Sequence, residues 1–124
     1  KCRYAVIGNP MNLRDEINQL HAQLCDGLAD PIRILILYSL SNGAQHVNEL
    51  TEKVNAPQPT ISRHLKILRE RGLVLSERDG QYIHYSLADK RVIDALDLLR
   101  AVMADNFKKR GQLADAVARG SSSN

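Results

Sequence analysis

The stretch from Pro57 to Gly72 constrains this chain more than any other, because it reads as one helix with two unlike faces. Ile61, Leu65 and Leu68 recur at i, i+4 and i+7, the spacing of a buried stripe. Pro57 stands where a first helical residue would fall, and Gly72 where the residue just past the end would. The other side carries Gln58, Thr60, Ser62, Arg63, Lys66 and Arg69. Amides, hydroxyls and guanidinium groups are the types that meet base edges and phosphates in a major groove. His64 shares the helix, placed for local packing or a phosphate contact. Just upstream, Val47, Leu50 and Val54 mark a second short amphipathic segment, closed by a turn at Asn55-Ala56-Pro57. Two short helices with a tight joint, the second basic on its outer face, make a helix-turn-helix.

The residues after Gly72 narrow the fold further. Two β-prone runs, Leu73 to Arg78 and Gln81 to Leu87, flank Asp79-Gly80, a strong hairpin signal. A helix-turn-helix with a hairpin directly behind it is the order of a winged helix. Its tip, Arg78, Asp79, Gly80 and Gln81, would reach the DNA backbone or minor groove.

Upstream, Asn12 can cap a helix from Leu13 to about Leu28, with Leu13, Ile17, Leu20, Leu24 and Leu28 on one stripe. Asp30-Pro31 separates it from the next helix, Ile32 to Leu40, which is apolar nearly all round and expected at the centre of the core. Past the hairpin, Asp89 can cap a long helix to about Phe107 or further, with Leu96, Leu99, Val102, Met103 and Phe107 on its apolar face. The expected fold is therefore mainly α with a small β-hairpin, an α+β winged helix-turn-helix of four helices, two strands and a fifth helix. The first and last helices exceed what a compact winged core needs. Their stripes call for the same pair in a second subunit, so a homodimer through these two helices is expected. At 124 residues one domain suffices. Residues 1–11 read as an N-terminal arm, 12–118 as the winged-helix DNA-binding and dimerisation domain, and 119–124 as a flexible tail.

The charge is placed where such a fold would use it. Between Gln58 and Arg91 there are seven Lys or Arg against four acids, so this segment carries the whole formal net charge of +3. A polyanion partner is implied. No apolar run reaches membrane-spanning length and no stretch has the pattern of a secretory signal, so a cytoplasmic location is expected. The chain opens on Lys1 rather than Met, which leaves room for a start outside it. No Ser/His/Asp or Cys/His set stands on recognisable turns, and there is no Gly-rich phosphate loop. Asp15-Glu16 is a solvated helix face. Neither an enzyme nor a required cofactor is expected.

Four blocks of sequence carry a resemblance. They are Ala29-Asp30-Pro31-Ile32-Arg33-Ile34-Leu35, Gln58-Pro59-Thr60-Ile61-Ser62-Arg63-His64-Leu65, Leu68-Arg69-Glu70-Arg71-Gly72-Leu73-Val74 and Asp79-Gly80-Gln81-Tyr82-Ile83-His84-Tyr85-Ser86-Leu87. In this order and spacing the chain resembles the ArsR/SmtB family of bacterial winged-helix repressors from about Leu24 to about Asp105, and most of all its arsenical-resistance branch. The resemblance implies a repressor that binds a palindromic operator as a homodimer and is released by an inducer. It assigns DNA contacts to Gln58, Thr60, Ser62 and Arg63. With the residues read above, the expected DNA-binding set is Gln58, Thr60, Ser62, Arg63, His64, Lys66, Arg69, Arg78 and Gln81.

The inducer sites of such relatives are not intact here. His46, Asn48 and Thr51 stand where arsenical repressors carry thiols. Asp89, Arg91, Val102 and Asp105 stand where zinc sensors carry their acids and histidines, and only the acids match. The remaining thiols are Cys2 and Cys25. Cys25 can be a buried small apolar residue with Cys2 incidental. Alternatively the arm folds back and the pair binds trivalent arsenic or another thiophilic metal ion, or forms a redox-active disulfide. Cysteines beyond either end could complete a three-thiol site. His84 is expected at the surface, His21 and His46 have no partner at obvious ligand spacing, and His21 with Cys25 share i, i+4. Two other functions stay open, a thiol/disulfide redox-sensing repressor and a winged-helix interaction module that never touches DNA.

Overall fold

In the computed structural model, which describes residues 12–122, the helix boundaries obey local capping chemistry. Asn12 accepts the Asp15 backbone N–H at 2.8 Å and starts α1, Leu13–Leu20, which runs on into a π-helical turn, His21–Cys25. Asp30 accepts the Ile32 N–H at 2.8 Å and, with Pro31 in the first helical position, opens α2, Pro31–Leu40. After a two-residue strand β1, Gln45–His46, comes α3, Val47–Val54. The Glu49 side chain reaches back to the His46 backbone N–H at 3.0 Å. Asn55 then takes the left-handed conformation, φ 61, and turns the chain sharply. The next helix is α4, Gln58–Glu70, with Pro57 as its N-cap rather than its first residue and Pro59 inside the first turn.

Gly72, at φ 75, turns the chain out of α4 into β2, Val74–Asp79, which pairs antiparallel with β3, Tyr82–Leu87. Register runs from Val74 opposite Leu87 to Asp79 opposite Tyr82, so the loop is Gly80-Gln81 and not Asp79-Gly80. Gly80 has φ 66 while Gln81 stays at negative φ, the requirement of a type II′ turn. The sheet holds one strand more than the two expected. β1 adds to the hairpin through Gln45 opposite Tyr85 and His46 opposite His84, giving the order β1-β3-β2.

Ile36, Leu37 and Leu40 of α2, Leu50 and Val54 of α3, and Ile61, Leu65 and Leu68 of α4 form the core with Leu73 and Val74. The helix α2 is not buried all round as its composition suggested, since Leu35 is exposed. Gly27 is buried because the end of the first helix approaches Leu73 so closely that a Cβ there would lie 2.8 Å from its methyl.

The chain divides at Asp89/Lys90 into two units, and the second is one helix, α5, Arg91–Ser122. It continues four residues into the segment expected to be a tail. At 32 residues it is about 48 Å long. Leu99, Val102, Met103, Phe107, Leu113 and Val117 make an exposed stripe along it, and in the first unit Leu13, Ile17 and Leu20 of α1 are exposed as well. The arm at 1–11, with Cys2, lies outside the described residues. Among the described residues no helix is long and apolar enough to cross a membrane.

Candidate nucleic-acid interface

The two faces of α4 decide what it can touch. Ile61, Leu65 and Leu68 face the core, which fixes the opposite side outward. Gln58, Ser62, Lys66 and Arg69 recur at i, i+4, i+8 and i+11 and are all exposed, with Arg63 exposed beside them. Thr60 is half-buried at the edge of this face. Arg78 and Gln81 are exposed on the hairpin. An open cleft of about 230 Å³ brings Gln58 of α4 together with Gln81 and Tyr82 of the hairpin and with His46 and Asn48 at the start of α3. Helix and wing thus contribute to one surface.

His64 does not belong to that surface. It is 5 % exposed, with its Nδ1 3.0 Å from Arg33 of α2 and its Nε2 3.8 Å from an Asp30 oxygen. The expected DNA contact is corrected to an interior one, because position 64 falls at i+3 from Ile61, on the apolar stripe. Burial, first of all, pushes its pKa below the ordinary 6.5. Asp30 opposes that shift, and Arg33 and Arg63 add to it.

His46 gains two ring partners, Tyr82 and His84, that the linear sequence does not show, beside an acid three residues on. Its ring stacks on Tyr82 with centroids 5.2 Å apart and lies 6.0 Å from His84, and its Nε2 is 3.5 Å from Glu49. His84, expected at the surface, is half-buried with its Nδ1 3.8 Å from Asp79. His46 becomes a neighbour of Tyr82 and His84 through β1, which the sequence does not signal. Cys25 is an exposed free thiol, so it is not a buried apolar residue. His21 is exposed on the same π-helical turn. Among the described residues no group of three or more His, Cys, Asp or Glu is placed to hold a metal ion.

A helix-turn-helix whose second helix turns amide, hydroxyl and cationic groups outward beside a β-wing defines the class, a winged helix-turn-helix protein. The sequence model described as "Bacterial regulatory protein, arsR family" matches residues 30–76. The HTH-type transcriptional repressor SmtB of Mycobacterium tuberculosis is 40 % identical over 85 residues, covering 65 % of this chain and 63 % of its own length. A probable mercury resistance operon repressor of Streptomyces lividans is 38 % identical over 85 residues, covering 68 % of each protein. The crystal structure of Rv0081 from M. tuberculosis superposes with a TM-score of 0.68 at 33 % identity, covering 76 % of this chain and 95 % of that one. The chain belongs to the ArsR family of bacterial regulatory proteins, a family of regulators and not of enzymes. It spans just under two thirds of the length of the SmtB relative.

Proposed function

We propose that this protein is a cytoplasmic transcriptional repressor that binds a palindromic DNA operator as a homodimer and is released by an inducer. The observation that carries the proposal is the outward stripe of Gln58, Ser62, Lys66 and Arg69, with Arg63 beside it, on a helix held by its other face. Inserted in a major groove, Ser62 and Arg63 sit where base edges are read, while Lys66, Arg69 and Arg78 meet phosphates. The exposed apolar stripes of α1 and α5 support the second copy, since each leaves leucines in water that a partner would cover. Two copies would present two α4 helices about one helical turn of DNA apart.

A mobility-shift series against salt tests this. Affinity is expected to fall steeply and log-linearly with salt, by a slope of about 0.9 per phosphate contact. The absence of salt-sensitive binding would favour a docking module instead. Arg78→Ala should weaken binding to all sequences alike and lower the slope by about one. A loss confined to one sequence would move Arg78 from phosphate to base.

For the inducer we propose a thiophilic metal ion, trivalent arsenic among the candidates, taken by Cys25 together with Cys2. Support comes from the exposure of the Cys25 thiol and from the mercury-resistance repressor among the relatives. Cys25→Ser is expected to keep DNA affinity within about twofold, because the site lies on another helix from the groove face, and to lose release by arsenite or mercuric ion. A Cys25→Ser protein that still lets go of DNA in either ion overturns the thiol proposal. Release by peroxide alone would transfer the role to a disulfide between the two thiols.

A further inference from the structure

The buried face of α4 carries a polar junction that the DNA-reading face does not need. Arg33 donates from Nε to the Gly27 carbonyl at 2.8 Å, from one terminal nitrogen to the Asp26 carbonyl at 3.3 Å, and from the other to His64 Nδ1 at 3.0 Å. Asp26 in turn pairs with Arg71, just past the end of α4, at 2.6 Å. The end of the first helix is thereby tied to α4 at two points, and one of them is an imidazole.

The protonation state of that imidazole is set by its partner. An arginine can only donate, so His64 Nδ1 must accept and its one proton must sit on Nε2, facing Asp30. Asp30 is already engaged, since its other oxygen caps α2 through the Ile32 N–H. A second proton on the ring would have to go to Nδ1. It would replace the hydrogen bond from Arg33 with two cations 3.0 Å apart, and Arg63 would add a third charge from the same helix. Asp30, at 3.8 Å, is the acid that opposes this.

We propose that His64 is a positioning residue, whose neutral ring, accepting from Arg33, seats the recognition helix on the corner between α1 and α2, and whose protonation unseats it and weakens operator binding. The inference rests on α4 being the DNA-reading helix. The sign is fixed by the direction of the titration. With the folded pKa below 6.5, the unfolded chain binds the extra proton more readily. Stability is complete above about pH 6.5 and is lost as the pH falls. The wing side carries two further imidazoles, His46 and His84, so a pH profile of the wild type alone does not isolate His64. The informative quantity is therefore the ratio of wild type to His64→Asn, whose amide oxygen can accept from Arg33 but cannot be protonated.

Operator affinity and melting temperature of the full chain are measured from pH 7.5 to 5.5 for wild type, His64→Asn and Arg33→Met. Wild-type affinity is expected to drop at least about threefold more than that of His64→Asn over this range, given that one pKa unit between free and bound forms is worth tenfold. Arg33→Met should bind more weakly at pH 7.5 and show the smaller pH response. Parallel profiles for wild type and His64→Asn overturn the proposal. Should no protein bind DNA at pH 7.5, the repressor proposal fails on its own. The positioning role is then decided by nitrogen NMR of the wild-type ring and by melting. The Nε2–H tautomer with acid-labile melting absent in His64→Asn upholds it, and the Nδ1–H tautomer or equal melting profiles overturn it.

Discussion

Arg63→Ala is expected to lose roughly ten- to hundredfold in operator affinity while melting at the temperature of the parent protein. The magnitude is that of one charged contact to a base edge or phosphate, about 1–3 kcal/mol. The unchanged melting temperature is a matter of position. Arg63 is exposed on α4, on the side away from Ile61, Leu65 and Leu68, so its removal leaves no cavity and no orphaned partner in the core. Direct titration of labelled operator DNA and a thermal melt on one preparation check both halves. Full affinity in the variant would place the reading surface elsewhere.

Leu65→Ala, two residues further on, should behave in the opposite way. Leu65 is 1 % exposed in the core formed by α2, α3 and α4, and truncating a leucine in such a place costs about 2–5 kcal/mol. Against the roughly 5–15 kcal/mol typical of a whole domain, that is a large fraction of the native stability. A chemical denaturation midpoint well below that of the parent is expected, with DNA binding lost in proportion to the unfolded fraction. A change smaller than about 1 kcal/mol would mean that the site collapses around the missing methyl groups. Together the two variants separate what α4 does for the fold from what it does for the groove.

The helices are legible in the sequence because their ends are written in short-range chemistry. Asn12 and Asp30-Pro31 cap as their residue types dictate, and Gly72 occupies the left-handed position just beyond α4. The hairpin is legible from its glycine, but the turn sits one residue later than expected because register, and not the Asp-Gly pair, decides which two residues span the strands. β1 is not legible, since two residues carry no alternation and their pairing with Tyr85 and His84 is set some forty residues away. The outward half of the candidate surface can be read from the period of α4 alone. The inward place of His64 is written there too, in the i+3 step from Ile61 and the i+4 step to Leu68, but the chemistry of an imidazole masks its phase. The length of α5 is hidden for a related reason. Gly120 and the serines after it favour a loop locally, yet Ser122 still closes the helix.

The short strand at Gln45–His46 has a consequence for the encounter with DNA. By pairing with β3 at Tyr85 and His84, it ties the middle of the hairpin to the entrance of α3, which restrains the wing from moving as an independent flap. Its conformational freedom is surrendered when the chain folds and not when the duplex arrives, which leaves less entropy to lose on docking.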